Sequence, residues 1–218
     1  MTKAQDKTRV GWIDVLKGIT ICLVVFNHTS EHLGIEYPCP EIIYSLQMPV
    51  FYIVSGMFFK PYANLKSFAI HKINQLLVPF FLFFFFTSQL PLCVHHHWSL
   101  WESLSNFYYH GPAYNWAIWF LLSLFEVFFL FYAITALCGA LFRGNLKVRV
   151  AAVMVLSFMI GIGGLLLSYN NIKFHLFFDT SMTAMPMFAF GWWIKNYTEM
   201  IGKVQRLPKL SLLVFWGG

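Results

Sequence analysis

Charge is what this sequence has least of. Asp, Glu, Lys and Arg make up only 11% of its 218 residues, where a soluble globular domain carries about 25%. Linkers are missing too: no stretch rich in Gly, Ser or Pro and no run of like charges marks off a soluble domain. The only low-complexity tract is "FFLFFFF" at 80–86. Cysteine is sparse, with four in the chain, which excludes a disulfide-stapled scaffold. Cys22 and Cys138 fall in apolar runs, whereas Cys39 and Cys93 fall in polar stretches where a disulfide is permitted, although nothing in the sequence places them within bonding reach. The basic excess of 15 Lys+Arg over 9 Asp+Glu lacks the basic clusters interleaved with stacking aromatics that nucleic-acid binding requires, so no nucleic-acid partner is expected.

What fills the space is apolar. Hydrophobic residues reach 58%, with 25 phenylalanines and a mean hydropathy of +0.62. A membrane span needs roughly 20 mostly apolar residues to cross about 30 Å of hydrocarbon. The sequence predicts an all-α, polytopic transmembrane helix bundle with six complete spans, at about 12–30, 43–59, 75–93, 115–141, 149–168 and 178–194. A seventh begins near residue 210 and is cut off at "LVFWGG". One membrane domain, 1–218, accounts for the chain. The lipid bilayer is its first expected partner.

Basic residues fall on alternate connections. Lys3, Lys7 and Arg9 precede the first span; Lys60, Lys66 and Lys72 follow the second; Arg143, Lys147 and Arg149 follow the fourth; Lys195, Lys203, Arg206 and Lys209 follow the sixth. Those thirteen leave only Lys17 and Lys173 of the 15. By the positive-inside rule the N-terminus is cytoplasmic and the protein is a multi-pass protein of the cell (inner) membrane. Asp14 and Lys17 interrupt the first apolar run and "TSEHLGIEY" offers no small-residue cleavage site, so the first helix is read as uncleaved.

Ionisable side chains inside spans are expensive and are functional candidates by default. The first span holds three: Asp14, Lys17 and His28. Eleven residues at about 100° each bring Lys17 within roughly 20° of His28 on the helix surface, and Asp14 within about 40°. All three share one stripe, with Lys17 some 16 Å from His28 along the axis. Two ordinary readings stand beside a functional one. Asp14 and Lys17 suit an i,i+3 ion pair, and Lys17 can snorkel to the headgroups. A neutral imidazole, for its part, is a competent general base.

Elsewhere, Met48-Pro49 suits a helix entrance, since proline is tolerated in a first turn, and Ser55-Gly56 suits the close approach of a neighbouring helix. Lys72 sits at the cytoplasmic edge of the third span, where a cation anchors headgroups or meets an anionic ligand. Glu126 lies well inside the fourth apolar run and needs a partner that the sequence does not name. "CVHHHW", 93–98, reads as a polar outer loop, because three consecutive histidines cannot all address one ion from a regular element. His28 and His32 lack the H-E-x-x-H pattern, so no metal is expected.

Several of these segments together resemble one family. "DVLKGITICLVVFNH" resembles its first span, "MPVFYIVSGMFF" its second and "LLVPFF" the start of its third. "IWFLLSLFEV" and "MPMFAFGWWIK" are similar to two later segments. The family is the acyltransferase-three group of integral membrane acyltransferases, which includes O-acetylases of surface polysaccharides and sugars. The resemblance implies a bundle of about ten helices, of which this chain is the N-terminal two-thirds. It also implies transfer of an acyl group, acetyl above all, from cytoplasmic acyl-CoA to the hydroxyl of a sugar or glycan. His28 is similar to the family's essential histidine and Lys17 to the basic residue eleven positions earlier, while Lys72 matches the first of two basic residues that open the third span. Gln75 stands where the second would be. The expected site is therefore His28 with Asp14 as catalytic residues, and Lys17 with Lys72 as binders of acyl-CoA. The competing class is a transporter or exporter of a glycan or its precursor, in which intramembrane His, Asp, Lys and Glu form a proton relay.

Overall fold

The computed structural model describes residues 11–38, 40–60, 62, 64–95, 97–110, 118–172 and 174–201. These residues are helical, without strands among them. The order is α1 (Gly11–Leu33), α2 (Pro40–Met57), a long continuous helix comprising α3 (Leu65–Lys72), α4 (Val78–Phe84) and α5 (Leu90–His95), then α6 (Leu100–His110), α7 (Trp119–Leu141), α8 (Leu146–Tyr169) and α9 (Phe178–Ile201). Single π-helical turns, Ile73–Leu77 and Phe85–Gln89, join α3 to α4 and α4 to α5.

The third span thus departs from expectation. A window starting at residue 75 excludes Lys66, His71 and Lys72 because they lower the local hydropathy, yet the helix runs unbroken over Leu65–Val94, 30 residues. Lys72 lies inside it rather than at its edge. Leu65–Val94, Trp119–Leu141 and Leu146–Tyr169 are long and apolar enough to cross a membrane. The other three expected spans are also helices, of 23, 18 and 24 residues, but they are not among the three that length and composition mark as able to cross a membrane within the described residues. Six spans are therefore not confirmed by the helices themselves. Residues 115–117 of the expected fourth span, and the start of a seventh near 210, lie outside the described residues.

The helix α9 is central and packs on α2, α7 and α8. Small residues set these contacts. Gly56 of α2 lies against the backbone carbonyl of Phe188, and Gly191 of α9 against that of Ile53, each so closely that a Cβ would overlap it. On α8, Gly161 faces the ring of Pro186 and Gly164 the backbone of Thr183. Close backbone approach of this kind is how helices associate where lipid removes the usual hydrophobic drive. Gly56 does what its place in "SGM" suggested. Pro49 does not: α2 begins at Pro40 and carries Pro49 in its interior. A second proline nine residues upstream takes the helix entrance, a choice that Met48-Pro49 alone could not reveal.

Aromatic rings fill the middle. Phe59, Phe68, Phe128, Phe131 and Phe188 are buried together, with Phe59–Phe131 at 5.0 Å and Phe128–Phe188 at 4.9 Å between ring centroids. Outward-facing residues are apolar as well, among them Phe81, Phe83 and Phe86 on the third helix and Phe158, Met159 and Ile162 on α8. The first helix shows the same inversion: Val15, Ile19, Ile21 and Val25 are exposed, whereas Thr20, Asn27 and Ser30 are buried. Apolar outside and polar inside is the arrangement that a lipid solvent selects.

Between α5 and α7, α6 opens with a capping box. Ser99 donates from its backbone N (2.7 Å) and its hydroxyl (2.8 Å) to Glu102 Oε2, and the Glu102 N–H donates back to Ser99 Oγ at 3.2 Å. Those bonds hold the Glu102 carboxyl below the usual carboxylate range. The backbone N–H of Trp98 reaches the Leu92 carbonyl at 3.5 Å, and the Phe107 ring lies 4.4 Å from that of Phe84. These contacts make α6 run back alongside the third helix.

Candidate active site

The helix α1 is unbroken from Gly11 to Leu33, so Lys17 and His28 keep the shared stripe that their spacing requires. Lys17 is half-buried, its Nζ 4.2 Å from the centre of the Phe58 ring at the end of α2. His28 retains 30% of its side-chain exposure, and its Nδ1 lies 4.0 Å from Glu31 Oε2 one turn on. Asp14 belongs to the first turn of α1; its side chain lies outside the described ones.

Lys72 is more enclosed than a cation at a helix edge should be, with 6% exposure. Its Nζ sits 3.4 Å over the Phe128 ring and donates to Gln75 Oε1 at 3.1 Å. Gln75 lies inside the π-turn Ile73–Leu77 that begins directly after Lys72. Gln75, read as a departure from the family's basic pair, is thus the polar partner that lets a buried ammonium keep a hydrogen bond. Phe128 in turn stacks on Phe59 at 6.3 Å. The two lysines therefore approach consecutive residues at the end of α2, Lys17 through Phe58 and Lys72 through the Phe128–Phe59 stack.

Next to Phe59 a cleft of about 230 Å³ opens, lined among others by Tyr62, Tyr132, Arg149, Trp192 and Asn196. Its walls are the last turns of α7, the first of α8 and the last of α9, the end of the molecule that carries Lys60, Lys66, Arg143 and Lys195. Sequence reasoning missed this cleft. It counted Arg149 as a loop charge, and the aromatic residues around it come from three separate segments with no shared spacing.

Glu126 also gains its partner. Ser181 on α9 donates to Glu126 Oε2 at 2.6 Å; Ser123 and Ser181 hydroxyls are 2.8 Å apart, and Tyr52 and Ser123 hydroxyls likewise. A hydroxyl chain from Tyr52 to the carboxylate so ties α2, α7 and α9 together. Cys93 is a free thiol, and Cys39, its proposed mate, lies outside the described residues.

Fold and site together define an all-helical membrane protein whose polar groups line up from a cationic, aromatic-walled cleft at one end to an imidazole toward the other. The family model described as an acyltransferase domain, that of the acyltransferase-3 family, matches residues 10–218, and the chain belongs to that family. No curated protein and no solved structure matches it.

Proposed function

We propose that this protein is an integral membrane O-acyltransferase that moves an acyl group, acetyl in the simplest case, from cytoplasmic acyl-CoA to a hydroxyl of a sugar or cell-surface polysaccharide. The observation that carries the reading is the unbroken α1, which holds Lys17 beside the basic end and His28 on the same stripe roughly 16 Å away, within a chain matched along its length by an acyltransferase family. The six helices are read as six spans of an inner-membrane protein with a cytoplasmic N-terminus, and a seventh begins beyond them. The basic end is then the donor side. Lys17, Lys72 and Arg149 supply positive charge for the anionic coenzyme, and the aromatic residues of the cleft supply flat apolar walls.

In the reaction, His28 takes the proton of the acceptor hydroxyl as its oxygen attacks the thioester carbonyl carbon. The new C–O bond forms, the C–S bond breaks, and the coenzyme thiolate leaves with the electron pair and receives the proton from the imidazolium. Direct transfer needs no acyl-enzyme, and no Ser or Cys with an adjacent base stands out in the sequence. Asp14, at the entrance of α1, acts on Lys17 in this scheme by fixing its charge near the donor.

Membranes containing the protein, incubated with radiolabelled acetyl-CoA, should pass label to polysaccharide or added sugar. A preparation that binds acetyl-CoA without passing label on overturns the reading. Lys17→Ala should raise the apparent KM for acetyl-CoA by about tenfold, the scale of one lost charge-assisted contact. Lys17→Arg should retain most activity. Equal losses in both, with donor binding intact, would make Lys17 a structural partner only.

One observation favours the second reading, a transporter: the hydroxyl chain ending on Glu126 is the kind of path a proton relay uses. A transporter would move glycan in response to a proton gradient and would ignore acetyl-CoA.

A further inference from the structure

The far half of the α1–α2 contact holds two polar groups that the proposed reaction has not used. Asn27 is 1% exposed and Gln47 is 2% exposed. Asn27 accepts a hydrogen bond from the Tyr37 hydroxyl on its Oδ1, but among the described residues its Nδ2 has no partner; neither has the Oε1 of Gln47. Buried amides are nearly always satisfied. Two unsatisfied ones in a single helix pair, one a donor and one an acceptor, are the complement of a ligand that offers both functions.

Their level follows from the register of the two helices. They are antiparallel, joined by the short connection after Leu33, and in contact where Lys17 meets Phe58. His28 lies eleven residues beyond Lys17 on α1, and Gln47 eleven residues before Phe58 on α2. Eleven residues return a helix to within about 20° of the same face. Gln47 therefore faces α1 as Phe58 does, at the height of His28, and Asn27 is the adjoining residue.

We propose that Gln47 and Asn27 form the acceptor-binding side of the His28 site, built for a molecule with neighbouring hydroxyls. Gln47 Oε1 accepts from one hydroxyl and Asn27 Nδ2 donates to an oxygen of the same molecule, so that the adjacent hydroxyl is held against the imidazole. A simple alcohol has only the reacting hydroxyl and makes neither contact. This rests on the O-acyltransferase reading and adds to it a preference for polyols over alcohols.

The test uses the full protein in membranes, radiolabelled acetyl-CoA as donor, and four acceptor probes: methyl glucopyranoside, methyl galactopyranoside, glycerol and 1-propanol. Gln47→Leu should raise KM for an accepted polyol by about tenfold or more, the loss of one substrate hydrogen bond. KM for acetyl-CoA and the rate with 1-propanol should stay within about twofold, since neither involves the amide. Thermal stability should fall by no more than an ordinary buried substitution, because among the described residues Gln47 Oε1 bonds nothing and a buried amide replaced by an apolar side chain of similar size leaves no acceptor unsatisfied. Where Gln47→Leu does not accumulate, Gln47→Glu, which keeps an accepting oxygen, should hold the polyol KM within about threefold, and a larger rise overturns the proposal. A parent protein that acylates none of the polyols overturns the O-acyltransferase reading and this proposal with it. Parent transfer with an unchanged polyol KM in Gln47→Leu overturns the proposal alone, as does an equal loss for polyols and 1-propanol.

Discussion

His28→Gln and His28→Ala should each abolish acyl transfer while leaving a folded, acetyl-CoA-binding protein. Neither side chain can accept a hydroxyl proton at neutral pH, and a positioned general base is worth about 10²- to 10⁴-fold in rate. The structure separates this loss from a folding defect. His28 keeps 30% exposure and its Nδ1 lies 4.0 Å from the exposed Glu31 carboxylate, so no packed cluster collapses when the ring is removed. Initial rates with labelled acetyl-CoA, alongside thermal unfolding and coenzyme binding on the same preparations, make the measurement. Near-normal acylation by a well-folded His28→Gln protein would remove the histidine from the mechanism.

The second large effect concerns assembly. Gly191→Ala should weaken the protein well beyond an ordinary helix substitution, and Gly56→Ala should do the same. At both positions a methyl would sit on the opposing carbonyl, of Ile53 in one case and Phe188 in the other, and backbone cannot turn aside as a flexible side chain can. Relief requires α2 and α9 to move apart along much of their contact. Forced overpacking costs about 1–3 kcal/mol, which at roughly 2–4 °C per kcal/mol for a chain of this size lowers Tm by about 2–12 °C. The two changes strain one contact, so their costs should not simply add. Gly139→Ala is the control: nothing lies within 4 Å of its Cβ position on α7, and a helical Gly→Ala change there should hold or raise Tm. Equal Tm values for Gly191→Ala and Gly139→Ala would refute the close crossing.

Local chemistry was readable from the sequence, and tertiary placement was not. The Lys17–His28 stripe needed only a regular helix, which the apolar run guaranteed. Gly56 announced a close crossing because few other reasons put Ser-Gly in mid-helix, though its partner, 132 residues on at Phe188, carries no local mark. Lys72 illustrates the limit. Hydropathy pushed it to the rim of the span, and only Phe128, on another helix, shows that it is enclosed. Gln47 was invisible for the opposite reason: a single amide in an apolar helix has no pattern, and its interest comes from an oxygen that nothing among the described residues satisfies.

The uninterrupted Leu65–Val94 helix has a mechanical consequence. Thirty residues extend about 45 Å, while a hydrocarbon layer of about 30 Å crossed at an average tilt near 20° accommodates only about 32 Å. Two turns or more must stand clear of the acyl chains. Both ends carry polar residues that suit them to do so: Lys66, Ser67 and His71 lie near the start, and Thr87, Ser88 and Gln89 in the second π-turn precede the histidines at the other end, where α6 is folded back against the helix. Bilayer thickness then becomes a variable of the protein: a thicker membrane draws this helical hairpin toward the acyl chains and a thinner one lifts it away, moving it relative to the shorter helices α7 and α8 without any change in sequence.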